Sequence, residues 1–415
     1  MEKFKPTNIK GAADTLPEVQ ILRNHVTDTL RKNFEAFGFA PIETAMVNYL
    51  EVLAYKYDAD AEIMREIYKI KDQGERDLGL RFDLTIPFAK FIATNRNLKM
   101  PFRRYEIGRV WRNGPVKAGR LREFYQCDVD IVGTSGQVVE AELIALAVKS
   151  FLDLGIEPVI KYGNRKVLIG LIEAAIGKGA DATKIIPIID KIEKVSKEEL
   201  VKELQKHMSK AAAEKLLTSF EKPPVHEEVT SLQNALKALG IDQYCVYSPS
   251  LARGLNYYTS TIWEVFDKKQ RITSSLSGGG RYDNIITEWV GNGQNYPAVG
   301  LSFGLEPIMA VLNASRENMQ DVPKIVDILV LSMNTLKESH KLAMGLRDAG
   351  IKVLTMTDVK PSKVFEYADK ENIPFVTVVG ERECADWKIK IKNMKSGEEK
   401  EVGMYDFAAI SEVLK

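Results

Sequence analysis

The chain has 415 residues, 45% hydrophobic and 28% charged, an ordinary make-up for a water-soluble protein and too long for one core, so two or three domains are expected. Lys plus Arg number 58 and Asp plus Glu 57, which excludes a global attraction to nucleic acid and confines any such binding to a local basic patch. Cys127, Cys245 and Cys384 have neither metal-ligand spacing nor a disulfide framework. The opening residues carry no signal or transit pattern, and no run nears the roughly 18 apolar residues of a membrane span. A cytoplasmic protein with no membrane partner is expected.

Taken in chain order, Val19, Leu22, Val26, Leu30, Phe34 and Phe37 recur at steps of three and four. That spacing predicts an amphipathic helix from about Pro17, stopped by Gly38. Strand-like sequence dominates over 68–132. Helical spacing returns over 140–154 and ends at Gly155. Over 163–224 the chain turns Lys-, Glu-, Ala- and Leu-rich and reads as helical, for example at 197–216, before strand-like sequence resumes near Asp242. The simplest arrangement is an α+β domain over residues 1–320 with a helical insertion at about 163–235. A polar stretch holding Pro323 marks the next boundary. From there, strands at 326–331, 353–356 and 374–379 alternate with helices at 336–349 and 363–370, which implies a small α/β layer over 321–415 with a mainly parallel sheet.

Several segments carry polar groups suited to chemistry. In Leu80-Arg81-Phe82-Asp83-Leu84-Thr85, strand alternation would place Arg81, Asp83 and Thr85 on one face, where a carboxylate and a hydroxyl suit an ammonium group. In the run 120–132, Arg122, Phe124, Gln126, Asp128 and Asp130 share a face opposite Tyr125, Cys127, Val129 and Ile131. Gln126 and Asp130 would stand roughly 13 Å apart, with room for a small zwitterion between them. Arg103, Arg104, Arg109 and Arg112 precede a loop at 113–119, and Arg120 and Arg122 follow it, giving planar donors suited to phosphate. The bland alternative for each segment is a solvated polar face, or pairing of the arginines with Glu106 and Glu123. Further on come Arg253-Gly254-Leu255-Asn256-Tyr257-Tyr258, a Gly-rich turn at Gly278-Gly279-Gly280, and Gly300-Leu301-Ser302-Phe303-Gly304-Leu305-Glu306-Pro307, a strand running into a helix. None of the four histidines falls in these segments, so catalysis by histidine is not expected. A site of arginines, carboxylates and glycines favours nucleotidyl chemistry run by positioning and charge.

Together these segments resemble the histidyl-tRNA synthetases, a family of class II aminoacyl-tRNA synthetases. Val110-Trp111-Arg112 and Phe124-Tyr125-Gln126 are similar to class II motif 2, and residues 253–258 to the family's Arg-Gly-Leu-Asp-Tyr-Tyr signature. Residues 80–85 are similar to its histidine-pocket segment, 279–283 to its Gly-Gly-Arg-Tyr-Asp segment, and Tyr367-Ala368-Asp369 with Ile373-Pro374-Phe375 to its anticodon-binding domain. The resemblance covers nearly the whole chain in the expected order.

It implies an antiparallel-sheet catalytic domain, a C-terminal α/β anticodon reader, a homodimer, and the partners histidine, ATP with Mg²⁺, and tRNA(His). It also implies residue roles. Asp83 and Thr85 would hold the substrate ammonium, Gln126 and Asp130 would fix the substrate, and Tyr258 and Tyr282 would form the imidazole end of the pocket. Arg112 would contact the ATP α-phosphate, Arg253 would hold the substrate carboxylate against it, and Gly304 would lie along ATP. No metal-binding side chain is implied. The loop at 113–119 would meet the acceptor stem, and Lys352, Lys360, Lys363, Lys388, Lys390 and Lys392 would meet tRNA phosphates.

The chain departs from the family pattern at Ala45 (usually Pro), at Asn113-Gly114-Pro115 (usually with an acidic residue), at Asn256 (usually Asp) and at Pro307 (usually Arg). Proline cannot donate to a phosphate, so Arg104 or Arg109 is expected to supply the missing contact. Two other readings stay open on these residues. One is a non-catalytic relative resembling the regulatory subunit of ATP phosphoribosyltransferase, and the other is a tRNA-binding protein without chemistry.

Overall fold

The computed structural model describes residues 5–55, 62–116, 120–177, 179, 181–192, 194–252, 257–314 and 325–414. The chain divides into two compact units, Met1–Asp321 and Val322–Lys415.

The strands of the first unit are β1 Ala40–Pro41, β2 Val47–Tyr49, β3 Lys69–Lys71, β4 Asp77–Leu80, β5 Phe102–Trp111, β6 Glu123–Val132, β7 Pro158–Asn164, β8 Cys245–Tyr247, β9 Thr261–Asp267, β10 Ser277–Arg281 and β11 Ala298–Gly304. Eight of them form one sheet in the order β1-β5-β6-β11-β10-β9-β7-β8, and β2-β4-β3 form a small second sheet. Every pairing from β5 through β7 is antiparallel.

One face of the large sheet is sealed by helices. Pro17–Ala36 opens on a proline at its first position, where the missing N–H leaves nothing unpaired. It buries Leu22, Val26, Leu30 and Phe34 and is followed by Gly38 at φ 79°. Phe34 and, from the helix Gln137–Asp153, Phe151 meet Phe303 of β11 with ring centroids 5.6 and 5.4 Å away. The other face of the central strands carries the polar cleft.

Two expectations need correction here. The segment 80–85 is not a strand, because β4 ends at Leu80 and Thr85 opens the helix Thr85–Thr94. Residues 81–84 form the buried bend between them, and the Asp83 carboxylate accepts the Ile86 N–H at 3.1 Å, satisfying one of the helix's first donors. The Gly-rich stretch is not a turn but the central strand β10. A Cβ on Gly279 would meet Trp263 and the Gly300 carbonyl oxygen, and one on Gly280 would meet Tyr258, so only glycine fits.

The helical insertion contains Arg165–Ile176, Ala182–Ile189, Lys197–Leu204, Lys210–Ser219 and Glu227–Ala238. The first four pack about Leu168, Ile172, Ile186, Leu204 and Leu216. The stretch 197–216 is two helices rather than one. Ser196 and Ser209 each cap a new start by accepting the N–H three residues on.

In the second unit, β12 Ile328–Ser332, β13 Val353–Thr357, β14 Phe375–Val379, β15 Lys388–Asn393 and β16 Glu399–Gly403 are ordered β13-β12-β14-β15-β16. The first three are parallel, with helices Leu336–Asp348 and Pro361–Lys370 between them. The last two add antiparallel, so the sheet is only half parallel. β15 and β16 are joined by a short turn at Gly397 (φ 77°), which returns the chain as a hairpin without a crossover helix. No helix among the described residues is long and apolar enough to cross a membrane.

Candidate active site

The open face of the large sheet lines a cleft of about 1040 Å³. Asp83, Thr85, Arg112, Gln126, Asp130, Tyr258, Tyr282 and Gly304 all border it. Arg253 and Asn256 lie outside the described residues.

Strand alternation builds the floor. On β6, Gln126, Asp128 and Asp130 point one way while Cys127, Val129 and Ile131 are buried on the other side. Across the ladders, Gln126 stands between Gly108 and Gly304, Asp128 between Glu106 and Ser302, and Asp130 between Arg104 and Gly300. The flanking glycines are required. A Cβ on Gly300 would strike the Asp130 carboxylate, and one on Gly108 the Arg81 guanidinium.

Beside these residues, on the same face of the sheet, lies a buried charge layer. Arg81 donates through Nη1 to Glu106 Oε1 at 2.7 Å and to the Thr44 carbonyl oxygen at 2.8 Å, and through Nε to the Arg109 carbonyl oxygen at 2.9 Å. Glu106 also accepts the Thr44 N–H and hydroxyl. Arg104, fully buried, lies over the Phe88 ring at 4.2 Å, with Nη2 2.6 Å from Asp130 Oδ2. That contact is an ion pair by distance rather than an aligned hydrogen bond, because Asp130 Oδ2 has no hydrogen-bond donor. Tyr282 donates its hydroxyl to Asp130 Oδ1 at 2.5 Å.

Burial dominates the acid chemistry. It pushes Asp83 up to about 6 against the Ile86 N–H, Arg112 and Arg104. It pushes Asp128 up to about 8 against Arg104. Asp130 is also raised by burial, with Arg104 and Tyr282 opposing. Asp83 Oδ2, Gln126 Oε1 and Asp128 Oδ1 are buried acceptors with no partner among the described residues. Such atoms are costly to leave unmade unless a ligand supplies donors.

Of the six arginines around the loop, Arg112 and Arg120 line the cleft. Arg112 is steered by its Nε donating to the Phe82 carbonyl oxygen at 2.9 Å and by the Phe124 ring 5.1 Å below. Arg120 pairs with Glu66 at 2.7 Å, and the Glu66 carbonyl oxygen accepts the Asn113 N–H at 2.7 Å. Arg103 pairs with Glu142, and Arg122 donates to the Gly114 carbonyl oxygen. The expectation that Arg104 or Arg109 compensates for Pro307 is corrected: Arg104 is held in the charge layer, and Arg109 pairs with Glu123 and Tyr125. Glu306 accepts the Tyr125 N–H, and Pro307 sits in the first turn of the helix Leu305–Ala314. Sequence reasoning placed Asp128 on the polar strand face and Ser302 in a candidate segment without giving either a role, and it missed Glu66. Asp128 was findable, since it lies midway between Gln126 and Asp130 on the same strand face.

The family model described as Histidyl-tRNA synthetase matches residues 11–308, and that of an Anticodon binding domain matches residues 326–412. The chain belongs to the histidyl-tRNA synthetase family. It is 41% identical to Histidine–tRNA ligase 1 of Bacillus thuringiensis, over 95% of this chain and 97% of that protein. It is 38% identical to Histidine–tRNA ligase 2 of Shouchella clausii, over 97% and 99%. Its fold matches the crystal structure of histidyl-tRNA synthetase from Nostoc sp. with a TM-score of 0.85 at 29% identity, covering 99% of both chains. The class II catalytic fold with an appended anticodon-binding domain, implied by the resemblance, is thus borne out, as is the family.

Proposed function

We propose that this cleft joins histidine to ATP, forming histidyl-adenylate and pyrophosphate, and then passes the histidyl group to the 3′ end of tRNA(His). The observation that carries the reading is the meeting, in one cleft, of buried acceptors that want N–H donors with guanidinium groups suited to phosphate. Asp83 and Thr85 take the substrate ammonium. Gln126 and Asp130 fix its body, and Tyr258 and Tyr282 wall the ring end. A carboxylate oxygen of histidine attacks the α-phosphorus of ATP and the bond to pyrophosphate breaks. The substrate is its own nucleophile, so the protein's part is positioning and charge stabilisation. Arg112 meets the α-phosphate, Arg253 holds the attacking carboxylate, and Gly304 leaves room for ATP.

Mg²⁺ enters with ATP. When bound it would neutralise charge on the ATP phosphates; among the described residues no cluster of three or more His, Cys, Asp or Glu is placed to hold a metal. The second unit reads the anticodon, with Lys352, Lys360, Lys363, Lys388, Lys390 and Lys392 toward phosphates. The loop at 113–119, of which residues 117–119 lie outside the described residues, meets the acceptor stem. We place the protein in the cytoplasm as a homodimer. The exposed Met46, Val47, Tyr49 and Ile70 on and beside the small sheet form an apolar patch that a second copy would cover.

The regulatory-subunit alternative is not favoured, since the ligase relatives match nearly their whole length and the anticodon-binding domain is present. Histidine-dependent exchange of pyrophosphate into ATP tests the activation step without tRNA. Exchange with histidine alone among the amino acids supports the reading, and histidine binding without exchange overturns it.

A further inference from the structure

The charge layer does not balance. Glu106 is matched by Arg81 and closed off by Thr44. That leaves Asp83, Asp128 and Asp130 facing one fully buried cation, Arg104, with Arg112 at the cleft wall beside Asp83. Asp130 already has the Arg104 guanidinium and the Tyr282 hydroxyl, and Asp83 caps a helix N–H. Asp128 is different. It is 2% exposed, borders the cleft, and its Oδ1 has no partner among the described residues. Its neighbours are Glu106 on β5, Gln126 and Asp130 on its own strand, Ser302 on β11, Asp83 before the helix Thr85–Thr94, and Tyr282 after β10. Burial and the Asp130 and Asp83 carboxylates disfavour a negative charge on Asp128, while Arg104 and a hydrogen bond from Ser302 oppose them.

We propose that Asp128 is a further substrate-binding and specificity-determining residue of the pocket, neutral when the pocket is empty, which gives its proton to solvent as the N–H donors of histidine arrive and then accepts from them as a carboxylate. The chemistry is a proton transfer only: the Asp128 O–H bond breaks, the proton leaves to buffer, and the carboxylate gains hydrogen bonds from the ligand. This rests on the proposed histidine-activating function.

Three physical points support it. An ammonium is the cation that this excess of carboxylates lacks. A buried acceptor without a donor is costly until one is supplied. Burial and the facing carboxylates raise the acid to about 8. An uncharged ligand of the same shape brings no such counter-charge, so proton release doubles as discrimination for the charged amino group.

Calorimetry of histidine binding near pH 7.5, in buffers of different ionisation enthalpy, counts the protons released. An Asp128 of about 8 predicts release of about three quarters of a proton per histidine, and histidinol, which keeps the ammonium, shows the same. Asp128→Asn keeps the shape and removes the titration. It is expected to bind histidine about tenfold more weakly, with release near zero and with far-ultraviolet dichroism unchanged. Should that variant fail to fold, the wild-type proton count from pH 6.5 to 8.5 still decides, since release must shrink as the pH passes above 8. Histidine binding without proton release, or with equal release from Asp128→Asn, overturns the inference and leaves the synthetase reading standing. No histidine binding by the wild type overturns both.

Discussion

The two units use the same residue types in opposite ways. In the catalytic unit Arg81, Arg104, Glu106, Asp128 and Asp130 are sealed from water, each no more than 2% exposed. In the second unit the charges stand out in solvent, as in the pair Lys388–Glu401, with side chains 60% and 48% exposed. Buried charge is expensive to break and sensitive to pH. Exposed charge is cheap to change and sensitive to salt. On the proposed function, the first layer would shape a pocket for a small zwitterion and the second would offer a surface to a polyanion.

The contrast is sharpest at Arg112. Arg112→Ala is expected to slow pyrophosphate exchange by roughly 10²–10³-fold, the effect of losing one preorganised donor to developing charge, with the melting temperature nearly unchanged. A small loss in kcat would place the α-phosphate elsewhere. Next in size, Arg81→Met takes from buried Glu106 its closest cation, leaving it the Thr44 hydrogen bonds and the more distant Arg104 at 3.8 Å, and is expected to destabilise the fold by about 3 kcal/mol in urea unfolding. The double variant Arg81→Met with Glu106→Met should recover part of that loss. If the single variant is neutral, the layer is not held together as described.

The pH response separates the units further. Asp83 and Asp128 keep protons in the fold, to about 6 and about 8, that the unfolded chain releases near 3.8. The folded state therefore binds more protons between about pH 4 and 8, and these groups make stability fall as pH rises through that window. Saturating histidine should flatten the decline. Thermal unfolding at stepped pH, with and without histidine, checks both. The smallest effect is expected in the second unit. Lys388→Ala should leave the melting temperature where it is, while lowering the salt slope of tRNA affinity by about one. An unchanged salt slope would remove Lys388 from the tRNA surface.

Local patterns made much of the fold legible. The period of the first helix, and the alternation on β6 that sets Gln126 and Asp130 on one face, are properties of a few consecutive residues. What was missed depends on distant partners. Three glycines read as a turn because nothing local reveals Trp263 and Gly300 pressing against them. Residues 81–84 alternate as a strand would, yet they bend because Asp83 caps the helix that follows. Arg104 looked free to bind phosphate until Asp130 and Phe88 enclosed it, and Arg120 meets Glu66 across a long stretch of chain. The hairpin of β15 and β16 was legible but passed over: Lys388-Ile389-Lys390-Ile391-Lys392 alternates solvent-facing lysine with buried isoleucine, the period of a half-buried strand, and Gly397 marks the turn.

On the proposed function, the cleft activates histidine despite Pro307. Histidine-dependent exchange of labelled pyrophosphate into ATP, with the other amino acids as controls, tests it most directly. The account predicts robust exchange with histidine alone. Absence of exchange, with histidine still bound in calorimetry, would contradict it.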